Sequence, residues 1–167
     1  MALTRPAAGA FIVIVCLFAG TTSLPFVLGK HGLEFPIRIY SMPTIAAVAL
    51  EPDGRLVIHM TSRLLQYENA EMLAFIFLHE LGHVRLGHLI PQGSQTQYFA
   101  PSLWRTRAWN MEYDADRWAA RRLRRMGYDP VRGIALTFGV FGDGGGFTHP
   151  PDRFRIDRVR RLASPDR

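Results

Sequence analysis

The feature that most constrains this chain is a stretch of about twenty residues, 70–89, that is apolar on nearly every side yet carries three polar side chains at its centre. Met72, Leu73, Phe75, Ile76, Phe77, Leu78, Leu81, Val84 and Leu86 follow no single face, so a helix here must be covered almost all round. Asn69 is placed to cap it and Glu71 lies in its first turn. Within this run stands His79-Glu80-Leu81-Gly82-His83. Leaving two imidazoles and a carboxylate unpartnered in such surroundings would cost roughly several kcal/mol. The bland solution is a pair of core histidines held by polar neighbours. The other is a metal. Histidines at i and i+4 share one helix face and can reach one zinc ion, with Glu80 beside the open coordination position. There Glu80 can take a proton from water and later pass it to a leaving amine.

A hydrolytic zinc site needs a third protein ligand. A histidine six residues after His83 is excluded, because position 89 is Leu89, and Leu86 stands where that pattern needs glycine. His88 falls off the metal face and reads as a surface residue. Glu112, in Glu112-Tyr113-Asp114-Ala115-Asp116, is the better candidate. Glu112 and Asp116 share a helix face, so one can bind metal while the other accepts a hydrogen bond from a ligand imidazole. Ala115, Ala119 and Gly82 are small enough for two such helices to pack closely. The competing reading of Glu112 is a solvated helix charge paired with an arginine.

His79 to His88, followed by Glu112-x-x-Ala115-Asp116-x-x-Ala119, resembles the HtpX-like and CAAX-prenyl-endopeptidase-like zinc metallopeptidases, family forty-eight of the metallopeptidases. Met126-Gly127-Tyr128-Asp129-Pro130 and Thr148-His149-Pro150-Pro151 with Arg155-Ile156 are similar to later segments of that family. The resemblance implies a gluzincin-type, zincin-like fold of α+β class, mainly helical, and one zinc per chain. It implies endopeptidase action on membrane-associated or misfolded envelope polypeptides. His79, His83 and Glu112 take the metal-ligand role, Glu80 the catalytic role and Asp116 the supporting one. A different class of activity, a zinc-bound chaperone or adaptor holding clients in the same cleft, uses the same residues without hydrolysis.

His149 lies between a glycine run and two prolines. It is a candidate catalytic residue, stabilising an oxyanion, or a fourth zinc ligand that silences the site, or simply a cap on the last helix. Arg155 either points into the same cleft as His149 or is one of a run of surface arginines, the second being slightly favoured. Residues 44–50 and 55–60, joined by Glu51-Pro52-Asp53-Gly54, predict a β-hairpin, and the strand at 56–60 is a candidate edge for extended substrate. Residues 31–38 read as an extended linker and 62–67 as a short helix. Further helices are predicted over 104–126, 130–141 and 152–162, with a flexible glycine loop at 142–146.

The start of the chain sets the expected compartment. Arg5 followed by apolar residues from Ala7 to Leu28 reads as a signal peptide or an N-terminal membrane anchor over residues 1–30, leaving a peptidase domain over 31–167. The domain is then exported, to the periplasm or another extracytoplasmic space. The only cysteine, Cys16, lies inside that segment, which excludes a disulfide framework and a thiolate metal site. Net charge is +6, concentrated in the C-terminal half. Arg117, Arg121, Arg122, Arg124 and Arg125 suit a solvated face or contact with an anionic membrane surface, and export makes nucleic acid an unexpected partner.

Overall fold

The structure, a computed structural model, describes residues 35–88, 101–142 and 145–163, without the side chains of 101–104. The predicted signal or anchor segment, with Cys16, lies outside the described residues, as do residues 89–100. Among the described residues the architecture is α+β, a three-stranded sheet with four α-helices. No helix among them is long and apolar enough to cross a membrane.

The hairpin forms as its turn chemistry requires. Strands β2 (Ala46–Leu50) and β3 (Leu56–Thr61) pair antiparallel, with Val48 opposite Ile58. Gly54 takes φ 82°, which only glycine adopts without strain, and its N–H donates to the Glu51 carbonyl at 2.9 Å. A strand that the linker reading missed, β1 (Ile37–Tyr40), pairs parallel with β3, giving the order β1-β3-β2. Its partner lies some twenty residues further along, so nothing in its own four residues reveals the pairing. β3 is therefore the central strand and buries Ile58 and Met60 completely.

A 3₁₀ turn over Ser62–Gln66 leads to helix α1 (Ala70–Arg85). Asn69 Oδ1 accepts from Met72 N at 2.9 Å, which satisfies one of the free donors of the first turn. The helix stops at Arg85, short of residue 89, because Gly87 adopts φ 69° and His88 N turns back to the His83 carbonyl at 3.0 Å. Helix α2 (Pro101–Arg125) ends the same way at Gly127, φ 81°, with Tyr128 N on the Leu123 carbonyl. Helix α3 (Pro130–Phe141) is capped by Asp129, and α4 (Asp152–Ala163) follows the glycine loop, of which 143 and 144 are not described.

α1 is the core helix. It packs on β2 and β3 on one side and on α2 and α3 on the other. Leu73, Phe77 and Leu78 are fully buried, and each such side chain contributes about 1.5–3 kcal/mol of hydrophobic stabilisation. Two glycines set its approach to its neighbours. A Cβ on Gly82 would stand 3.2 Å from Ala115 Cα, and one on Gly133 would stand 2.9 Å from the Glu71 carbonyl oxygen. The small residues at 82 and 115 thus bring the histidine turn of α1 against the carboxylate turn of α2.

Candidate metal centre

The helix crossing gathers four polar side chains where α1 meets α2. His79 Nε2 lies 3.1 Å from His83 Nε2 and 3.3 Å from Glu112 Oε2, and His83 Nε2 lies 3.4 Å from Glu112 Oε1. Donors at about 2.0–2.1 Å from a tetrahedral metal stand about 3.3–3.4 Å apart, so these separations, each to one of the two Glu112 oxygens, are close to those of such a site. His79, His83 and Glu112 form a buried group that could hold a metal ion.

The donors are presented in the right state. Asp116 Oδ1 sits 2.9 Å from His79 Nδ1 and accepts its hydrogen, so Nε2 is the nitrogen that faces the triangle. Glu112 Oε2 is buried without a hydrogen-bond partner. This oxygen lies 3.3 Å from both His79 Nε2 and the Arg155 guanidinium, so a divalent cation at the triangle would take the place of a proton on His79 and face the same carboxylate. Two nitrogens and a carboxylate oxygen suit zinc and its first-row neighbours.

Burial disfavours a charged His79 imidazole, but its bonds to Asp116 and Glu112 outweigh this and raise its pKa to about 10. Burial likewise pushes the Glu112 and Asp116 carboxyls up. The two imidazoles beside Glu112 and the Arg155 guanidinium beside Asp116 outweigh it and hold both carboxyls below their ordinary range. The protonated His79 and the Arg155 guanidinium together balance the two carboxylates, so a bound cation would have to displace the His79 proton.

Two residues hold positions that their sequence context hid. Arg155, for which the sequence left cleft and surface open and slightly favoured the surface, is only 5% exposed. It shares the inward face of α4 with Val159, four residues on, and reaches between the two carboxylates. Its Nε donates to Asp116 Oδ2 at 2.8 Å, one terminal nitrogen to Asp116 Oδ1 at 2.7 Å, and the other lies 3.3 Å from Glu112 Oε2. The guanidinium also lies over the Phe138 ring, 4.8 Å from its centroid. Two carboxylates against one guanidinium leave one negative charge, which a proton on His79 meets when no cation is bound. The arginine abundance of α4 concealed this; the signal was its i, i+4 pairing with a core valine. His88, expected at the surface, is half-buried with Nδ1 3.1 Å from His83 Nδ1, brought back by the Gly87 turn. Burial lowers its pKa, and a neutral His88 can accept the Nδ1 hydrogen of His83 as Asp116 does for His79.

A cleft of about 510 Å³ opens over the triangle, lined at this end by His79, Glu80, His83, Glu112, His149 and Arg155. Glu80 is half-buried there. His149 is at the rim, its Nε2 3.8 Å from Glu112 Oε1 and its Nδ1 2.9 Å from Thr148 Oγ1. Its imidazole therefore bonds Thr148 and faces the cleft. The Trp109 indole N–H donates to the Gly146 carbonyl at 3.3 Å and fastens this loop to α2. The strand predicted as a substrate edge, β3, is paired on both sides and offers none; β2 is an edge strand, and residues 43–48 line the cleft.

The arginines of α2 lie elsewhere. Arg117 pairs with Asp114, Arg122 lies over Trp118, and Arg124 donates to the Leu162 carbonyl at 2.9 Å. No protein-family model matches the chain, and no curated protein or solved structure matches it.

Proposed function

We propose that this chain is an exported zinc-dependent endopeptidase of gluzincin, zincin-like type, its apolar N-terminal segment acting as leader or membrane tether. One observation carries the reading: the triangle of His79, His83 and Glu112 donors, with tetrahedral spacing, at the floor of an open cleft that also contains Glu80. Bound there, zinc supplies Lewis acidity toward a peptide carbonyl and acidifies water.

The protein's own groups do the rest. Glu80, next to a ligand histidine in sequence and open to the cleft, takes the proton of the attacking water and delivers it to the departing amine. Asp116 keeps the His79 tautomer fixed, and Arg155 keeps Asp116 and Glu112 ionised and in place. His149, at the rim, donates to the carbonyl oxygen as negative charge grows on it, a role supported by its lining of the cleft. The outer edge of β2 gives an extended polypeptide a strand to lie against.

The test is casein cleavage by purified protein, abolished by chelation and restored by zinc, together with a reporter fused after Arg167. Cleavage and an exported reporter are expected. Zinc-loaded protein that binds unfolded chains without cutting them would identify a chaperone or adaptor instead.

A further inference from the structure

The face of the sheet turned away from α1 carries a second polar cluster, built from none of the metal-centre residues. Ile58 and Met60 of β3 are buried in the core, so His59 between them points to the opposite face. Arg38 of β1 and Ala47 of β2 stand opposite His59 on either side. Strand alternation then puts Tyr40, two residues after Arg38, on the same face. It does the same for Glu51, because a backbone bond from Glu51 N to the Arg55 carbonyl at 2.8 Å carries the pairing one residue past β2.

These side chains form one line of bonds. Tyr40 Oη lies 2.8 Å from His59 Nδ1, and His59 Nε2 lies 2.9 Å from Glu51 Oε1. The other carboxylate oxygen, Glu51 Oε2, lies 3.2 Å from Arg38 Nη1. Arg38 has only donors and keeps its charge, so it anchors Glu51 as a carboxylate. A carboxylate can only accept, so the hydrogen of the neutral His59 imidazole sits on Nε2. Nδ1 is then left to accept the hydrogen of the Tyr40 hydroxyl.

Hydroxyl, imidazole and carboxylate thus stand in the order of a nucleophile, its base and the group that orients the base. Exposure follows the same order. Tyr40 is 46% exposed, whereas the His59 and Glu51 side chains are 15% and 12% exposed. The phenol is open to a reagent while the base behind it is sheltered. The two rings meet edge-on with centroids 5.5 Å apart, which leaves the outer side of the phenol uncovered by the imidazole. The same bonds tie β1 to the β2–β3 turn, but that use alone asks nothing of the hydroxyl's reactivity.

We propose that Tyr40 is an acyl-accepting nucleophile, a covalent modification site for activated esters, with His59 as its base and Glu51 positioning His59. The Tyr40 oxygen forms a bond to the acyl carbon as its proton passes to His59 Nδ1. The bond from that carbon to the leaving oxygen then breaks, and the departing group takes the proton from His59. Acylated Tyr40 and a free alcohol result, with no other reactant. The step uses no group of the metal centre and is independent of the peptidase reading.

The experiment treats full-length protein with p-nitrophenyl acetate at neutral pH and follows the label on each residue by peptide mass spectrometry, beside N-acetyltyrosinamide as an unassisted phenol. A positioned base contributes about 10²–10⁴-fold, so Tyr40 should be acetylated about 10²-fold faster than the free phenol or more. His59→Gln should remove that excess. Glu51→Gln should lower it about tenfold with circular dichroism unchanged, an effect that a purely strand-tying role would not produce. Labelling of Tyr40 no faster than the free phenol, or equally fast in a folded His59→Gln protein, overturns the proposal. If His59→Gln does not fold, the wild-type ratio and Glu51→Gln decide it.

Discussion

Replacing Arg155 by alanine tests whether the buried cluster behaves as its geometry requires. The side chain makes two charge-assisted bonds to Asp116, at 2.7 and 2.8 Å, and faces Glu112 at 3.3 Å. At 5% exposure, solvent screens these little. Each such bond contributes about 1.5–3 kcal/mol, and removing one partner of a buried ion pair costs about 3–5 kcal/mol because the other charge stays behind. The lower figure is the better expectation, since His79 still bonds Asp116. With chelator present, urea unfolding of Arg155→Ala should show a loss of about 3 kcal/mol, or roughly 1.5 M in midpoint for a slope near 2 kcal/mol/M. Arg155→Lys cannot reproduce the two-pronged contact and should fall between. Arg161→Ala, on the exposed face of α4, should stay within about 0.5 kcal/mol of wild type. A folded Arg155→Ala protein that loses less than about 1 kcal/mol would refute the claim that this arginine neutralises the site.

Three further outcomes follow from the same geometry. Glu112→Ala should retain the fold but lose stoichiometric zinc, read by metal analysis after dialysis; unchanged affinity would remove Glu112 as a ligand. His88→Ala should weaken zinc binding about 10–100-fold by freeing the far side of His83, and calorimetric titration at neutral pH would detect it. Acid should destabilise the protein by a defined route. Glu112 and Asp116 are held below their ordinary values of 4.5 and 3.8. Their stabilisation is thus fully present above about pH 4.5 and lost as pH falls below it toward their folded-state values. The stability–pH slope in that window should flatten in the Glu112→Gln, Asp116→Asn double variant.

What the sequence revealed and what it hid have one physical origin. His79, His83, Glu112 and Asp116 are legible because each pair is separated by one helical turn, so local periodicity already places them together. The hairpin is legible because Pro52, Asp53 and Gly54 commit the chain to a turn between two apolar runs. β1 was hidden, since four residues ending in Ile39 and Tyr40 become a strand only through a parallel partner that lies distant in the chain. That missing strand also misplaced the edge of the sheet: with β1 added, β3 is enclosed and β2 is left facing the cleft. Arg155 was only half legible, a possible cleft residue obscured by number, one arginine among many, because the two buried carboxylates that hold it come from another helix. His88 was hidden because its approach to His83 depends on the left-handed turn at Gly87 rather than on helical spacing.

The central claim, that Glu80 moves the proton in a zinc-dependent peptide cleavage, is tested most directly by turnover of an unfolded protein by Glu80→Gln beside wild type, both at one zinc per chain. Amide for carboxylate preserves shape and removes the base. The account predicts intact fold and zinc with turnover lower by about 10²-fold or more. Wild-type turnover in Glu80→Gln would contradict it.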